Sequence, residues 1–138
     1  MDYDAYVKAN FQQPQPEPRF QFTGSFTVTL YFADYERAVA YYTAVLGPPA
    51  YVEGTGTRGW PIGEGWLTLL KGGNGRPQNM ELSLMMSTPA AAEALQSAFI
   101  AAGGKGPQPE DTLMYWPVRV CPVTDPFGME ILIFSRLT

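Results

Sequence analysis

Phe26-Thr27-Val28-Thr29-Leu30-Tyr31-Phe32-Ala33-Asp34 opens a pattern that Met80-Glu81-Leu82-Ser83-Leu84-Met85-Met86-Ser87-Thr88 opens again. In the first stretch Phe26, Val28, Leu30 and Phe32 alternate with Thr27, Thr29 and Tyr31. In the second Met80, Leu82, Leu84 and Met86 alternate with Glu81, Ser83 and Met85. Alternation of this kind marks a half-buried strand, because successive side chains point to opposite faces. A helix is expected after each strand. Asp34 suits an N-cap, Ala38, Tyr42 and Val45 fall on one helical face, and Gly47-Pro48-Pro49 ends the turn series. Thr88 caps the second helix with Pro89 at its first position, where the missing amide costs nothing. Ala92, Leu95 and Phe99 form its apolar stripe, and Gly103-Gly104 closes it. The halves align with Thr27 on Glu81 and Asp34 on Thr88, and they match in pattern rather than in identity.

Three short strands are expected after each helix. They are Ala50–Glu53, Arg58–Ile62 and Trp66–Lys71 in the first half, then Gly106–Pro109, Met114–Val123 and Met129–Phe134 in the second. Residues 72–77 read as a loop, and Asp125-Pro126-Phe127-Gly128 as the last tight turn. The fold class is therefore α+β: two βαβββ modules, 24–72 and 79–138, forming mixed sheets around a central cup with the helices outside. Together they make one domain over 23–138. Residues 1–22 stand apart as an arm. Gln12 to Pro18 alternates Gln, Pro and Glu, which builds no core and favours an extended chain, while Tyr3, Tyr6, Val7 and Phe11 offer anchors.

Composition excludes several functions. Thirteen acidic against nine basic residues give a net charge of −4, and no basic run occurs, so a nucleic-acid partner is not expected. Met1-Asp2-Tyr3-Asp4 lacks the basic and apolar regions of a signal peptide, so none is expected, and no apolar run approaches the ~18 residues of a membrane span. A cytoplasmic protein is expected, with no membrane partner. The single Cys121 forms no internal disulfide, which fits a reducing compartment. There is no histidine, so Ser/His/Asp catalysis is excluded and nothing of that kind activates Cys121. Gly72-Gly73-Asn74-Gly75 is no phosphate-binding loop, since no Lys-Ser or Lys-Thr follows at the needed spacing.

Thr27 to Asp34, followed by Ala40-Tyr41-Tyr42 and Val45-Leu46-Gly47, resembles the opening of the vicinal-oxygen-chelate superfamily. That group includes glyoxalase I, fosfomycin-resistance enzymes, extradiol dioxygenases and bleomycin-resistance proteins. The ending from Arg119 to Phe134 is similar to its final hairpin, and the resemblance covers Gly24 to Phe134. It implies metal ligands on the first strand of each module and the last strand of the second. Those places hold Thr27, Glu81 and Leu132, and only Glu81 binds a divalent metal well. Glu130, two residues before Leu132, points to the same face, and a Glu81–Glu130 pair would suit Mg or Mn better than zinc. The expectation is a metal-free member with no cofactor and no catalytic residue assigned, working as a homodimer.

The alternation assigns Thr27, Thr29 and Tyr31, then Glu81, Ser83 and Met85, then Glu130, Leu132 and Phe134 to the cup. These side chains either line a ligand pocket or fill the space between modules. Arg119, between Val118 and Val120, reaches into the cup to meet Glu81, Glu130 or an anionic ligand, or else lies on a wet strand face. Trp60, Trp66, Tyr115 and Trp116 are candidate walls for stacking a flat or cationic ligand, or are core and interface residues. Three roles remain open: a small-molecule binder that sequesters an aromatic or cationic compound, a lyase, isomerase or dioxygenase with a rearranged site, or a structural and interaction protein. Fold alone does not choose among them.

Overall fold

In the computed structural model, which describes residues 1–19, 27–73 and 80–138, the two repeats build two four-stranded mixed sheets. The readings made for Gly24 and Phe26, and for the loop beyond Gly73, lie outside the described residues. The first sheet contains β1 (Thr27–Phe32), β2 (Tyr51–Glu53), β3 (Thr57–Ile62) and β4 (Gly65–Lys71), in the order β1-β4-β3-β2. The second contains β5 (Glu81–Met86), β6 (Glu110–Met114), β7 (Trp116–Thr124) and β8 (Glu130–Arg136), in the order β5-β8-β7-β6. The first strand of each module runs parallel to the last, and the remaining pairs are antiparallel. α2 (Tyr35–Leu46) and α3 (Pro89–Ala101) follow β1 and β5 and cover one face of their sheets. No helix among the described residues is long and apolar enough to cross a membrane.

Strand parity follows the alternation. Leu30 and Phe32 are buried in the core while Thr27, Thr29 and Tyr31 are exposed; Leu82 and Leu84 are buried while Glu81, Ser83 and Met85 are exposed. The buried side chains of both modules join one cluster, which takes in Leu30, Leu69, Ala38, Tyr42, Leu84, Phe99 and Ile133. Tyr42 ties the halves together. Its hydroxyl donates to Asp125 Oδ2 at 2.7 Å, and Asp125 Oδ1 accepts the amides of Phe127 and Met129, both at 2.8 Å. The Asp-Pro-Phe-Gly turn of the second module is thus anchored on the helix of the first.

Four local details differ from the sequence reading. Asp34 makes no side-chain cap; its carboxylate lies 3.7 Å from Arg37 instead. Thr88 does cap, accepting from the Ala91 amide at 3.1 Å. Residues 106–109 form no strand. Pro107 and Pro109 have no amide to give to a ladder, and the Pro107 carbonyl, together with that of Pro122, is taken by the Gln96 side-chain amide at 2.9 Å. The stretch 114–123 is the turn and inner strand of a β6–β7 hairpin that reverses at Tyr115, whose φ is +63°. Residues 3–10 form a helix, α1 (Tyr3–Asn10), which Asp2 caps through the Ala5 amide at 3.1 Å.

α1 explains the unusual turn. The Tyr6 hydroxyl accepts from the Tyr115 amide at 2.8 Å, and the Tyr3 hydroxyl donates to the Tyr115 carbonyl at 3.1 Å. Phe11 meets the Tyr115 ring edge-on, centroids 6.5 Å apart. A left-handed conformation costs a non-glycine residue of order 1 kcal/mol. Here both polar groups of its backbone are satisfied from the arm.

Candidate functional site: the seam between the sheets

β1 and β5 are end strands, and among the described residues no ladder joins one sheet to the other. A cleft of ≈ 410 Å³ opens along this seam, lined by Val28, Ile62, Trp66, Leu67, Met80, Glu81, Leu82, Ser83 and Leu84. Its lining mixes two parities. Trp66, Glu81 and Ser83 belong to the side turned away from the helices, the cup side. Val28, Leu67, Leu82 and Leu84 belong to the core side. The cleft therefore runs from the cup side down to the shared core, apolar below and polar at its mouth.

Ladder register assigns the remaining candidates to a side. Thr27, Thr29 and Tyr31 stand opposite Trp66, Thr68 and Leu70 on the cup side of the first sheet. Trp66 lies against Tyr51, ring centroids 6.2 Å apart and 69° between planes. Gly59 makes the seat for this pair, since a Cβ there would come within 3.2 Å of Tyr51 Cβ and 3.3 Å of Trp66 Cε3. The Glu53 carboxylate beside Tyr51 raises that phenol above its ordinary pKa. Glu81, Ser83 and Met85 stand opposite Glu130, Leu132 and Phe134 on the cup side of the second sheet. Glu81 and Glu130 are thus neighbours on parallel strands, and Glu130 Oε2 accepts from the Thr124 hydroxyl at 3.2 Å. Beyond them Phe134 packs with Val118 and Val120, flanked by Met114, Trp116 and Leu132.

Two candidates are corrected. Arg119 does not reach Glu81 or Glu130. Its ladder partner is Ser135, on the helix side, whereas the partner of Glu130 is Thr124. The Arg119 guanidinium forks onto Asp111 at 2.9 and 3.3 Å and lies 3.5 Å from Glu93 of α3. That contact holds the Asp111 carboxyl below its ordinary range. Trp60 is no cup wall either. It is buried in the core, donates its indole N–H to the Gly47 carbonyl at 2.8 Å and meets the Tyr42 ring. Tyr115 is exposed at the hairpin turn under α1, away from the seam lining, and Trp116 lies beneath Arg136, whose guanidinium carbon is 3.8 Å from the ring centroid. Cys121 is buried on the helix side, and burial pushes its thiol above the ordinary pKa, so it is a poor nucleophile.

The sequence reading missed the lower walls of the cleft. Val28, Leu82 and Leu84 read as the buried side of their strands from alternation, and with Leu67 they belong to the core or pack against it. Only the unpaired β1 and β5 edges turn them into cleft lining as well.

Of the three places where the resemblance puts metal ligands, Glu81 offers a carboxylate, Thr27 a weak hydroxyl donor and Leu132 nothing. Among the described residues no three His, Cys, Asp or Glu side chains converge. This donor set does not fit a zinc, iron or nickel centre, which takes about three to four N, O or S ligands.

A family model described as the Glyoxalase/Bleomycin resistance protein/Dioxygenase superfamily matches residues 25–133. The comparison with curated proteins finds no match. Among solved structures the chain is similar to a glyoxalase/bleomycin resistance protein from Albidiferax ferrireducens, with a TM-score of 0.64 and 19% identity over 80% of this chain and 96% of that one. It is similar to a glyoxalase/bleomycin resistance protein/dioxygenase from Alicyclobacillus acidocaldarius, with a TM-score of 0.66 and 9% identity over 84% and 93%. A glyoxalase-related enzyme from Fulvimarina pelagi gives a TM-score of 0.64 and 17% identity over 83% and 89%. At these identities the structural likeness speaks for the fold alone.

Proposed function

The chain belongs to the glyoxalase/bleomycin resistance protein/dioxygenase superfamily, and from that membership we propose that it is a binding member, holding a small aromatic or cationic molecule by burial, without a catalytic metal. The observation that carries this reading is the seam cleft. It has the volume of a small-molecule site, apolar walls that reach the core, and a mouth carrying Trp66, Glu81 and Ser83. The ligand set argues against a metal-dependent lyase or dioxygenase, because the expected ligand positions supply one carboxylate. Elemental analysis of purified protein is expected to find no stoichiometric zinc, iron, nickel or manganese. About one metal per chain, lost on Glu81→Ala, would overturn the reading.

Native mass spectrometry and ligand screening test the binding role directly. A bound compound displaced by Trp66→Ala supports it. Screens in which no compound's affinity responds to any substitution along the cleft would sink it. We carry a homodimer into the same proposal. β2 is an edge strand whose Tyr51, Val52 and Glu53 are all exposed, and unpaired edges of this kind favour pairing with a second copy. Light scattering showing a monomer at micromolar concentration removes that part and leaves the binding role standing.

A further inference from the structure

The two sides of the sheets differ in charge: the cup side carries more carboxylates than cations, and the cations of the helix side are already paired. On the sheets, Arg58, Lys71 and Arg119 all stand at helix-side register positions. Each is already engaged there: Arg58 on the carbonyls of Gly54 and Thr57, Lys71 on Glu36 at 3.3 Å, Arg119 on Asp111 and Glu93. The cup side carries Glu53, Glu81, Glu110 and Glu130, while Asp111 stands on the helix side beside Arg119. Among the described sheet residues its one cation is Arg136, which is stacked on Trp116 at the far end of β8. Glu81 and Glu130 therefore stand side by side, roughly 4.8 Å apart along the sheet, and among the described residues no basic side chain pairs with either.

Glu81 lies where the seam cleft opens, and Glu130 stands beside it one strand inward. Glu81 lines the cleft, and across the seam from it the half-exposed Trp66 presents an indole seated over Gly59. A carboxylate pair repels anions and attracts a cation. An indole beside it attracts a cation through its ring face and a flat apolar body through stacking. The apolar floor of Val28, Leu67 and Leu84 takes a body too large for a simple ion.

We infer that the seam cleft selects flat organic cations, with the ring system against Trp66 and the positive charge against Glu81 and Glu130. This rests on the binding role proposed above and narrows "aromatic or cationic" to a single class that is both.

The test titrates three flat probes of one shape into the protein by calorimetry: N-methylacridinium, acridine at a pH where it is neutral, and anthracene carboxylate. The cation is expected to bind about tenfold more tightly than the neutral probe, and the anion most weakly. That preference should shrink with added salt, since the carboxylates are exposed. The double substitution Glu81→Gln with Glu130→Gln should abolish it, bringing the affinity for N-methylacridinium down to that for acridine. Trp66→Ala should weaken cation and neutral probe alike. Equal affinity for acridine and N-methylacridinium, or a preference that survives the double substitution, overturns the charge inference and leaves the binding role intact. Failure of all three probes to bind overturns both.

Discussion

On the cup side of the first sheet Tyr31 is 54% exposed, Tyr51 46% and Trp66 37%, whereas on the cup side of the second Val118 is 0% exposed, Val120 8% and Phe134 8%. The topology is the same, a parallel outer pair and two antiparallel ladders, and each sheet buries its opposite face against its helix. The repeat therefore conserves the face that folds and leaves the other free to diverge. One half shows large aromatic surface on that face; the other packs its own aliphatic side chains there. Exposed rings are costly to maintain for stability alone, since apolar area left in water gains nothing on folding. Their gathering on the sheet face of the first module argues for a partner that covers them.

The largest test of that contrast compares one truncation from each side. Phe134→Ala empties a packed site and should cost about 3–5 kcal/mol in denaturant unfolding. Trp66→Ala should cost no more than about 1–2 kcal/mol while removing ligand affinity. Equal costs would mean that the first cup side is structural, and the contrast would collapse.

A second test asks how far the halves depend on each other. Tyr42→Phe removes one of the three hydrogen bonds to the buried Asp125 carboxylate and should cost about 1.5–3 kcal/mol. Burial, with Asp125 nearby, raises the Tyr41 phenol from 10.0 to about 12, and the same causes push Tyr42 up further. A phenol whose pKa is raised by folding stays protonated in the native state after the unfolded chain has released its proton. The stability it contributes is complete below pH 10 and falls as the pH climbs from there through about 12. The slope of stability against pH over that window should flatten in Tyr41→Phe and Tyr42→Phe. An unchanged slope would show that neither phenol is linked to folding.

Smaller effects sharpen the picture of the second module. The pair Tyr3→Phe and Tyr6→Phe strips the hydrogen bonds that α1 makes to Tyr115. Global stability should drop by about 1 kcal/mol or less, with faster amide exchange confined to residues 3–10 and the hairpin turn. Arg119→Ala should be milder still, shifting the melting temperature by no more than about 2–3 °C, because its two ion pairs are substantially exposed. It should leave ligand affinity unchanged. A loss of affinity in Arg119→Ala would put the second module's charged cluster back into the site.

These details separate what the chain shows locally from what only register decides. Alternation at 27–32 and 81–86, the Thr88-Pro89 start and the glycine stops are all short-range signals, so both βα units were legible. The sides of Arg119 and Trp60 were not. Each depends on which residue of a neighbouring strand stands opposite, which the alternation within a single strand does not specify. Tyr115 is the clearest case. No Gly or Asn occupies the reversal, and the conformation is held from more than a hundred residues away by Tyr3 and Tyr6. The cleft itself was half legible: Trp66, Glu81 and Ser83 were named from parity, while its floor reads as ordinary core until the sheets are known to stay unpaired at β1 and β5.

The hydrogen bond from Tyr42 to Asp125 bears on how such a duplicated chain melts. It joins the helix of one repeat to the closing turn of the other, inside a knot of rings formed by Tyr41, Tyr42, Phe99 and Phe127. Neither repeat carries a complete version of this knot. The two copies are repeats by descent of pattern but a single unit in heat: calorimetry should record one transition with equal calorimetric and van't Hoff enthalpies, and either half expressed alone should lack a closed core.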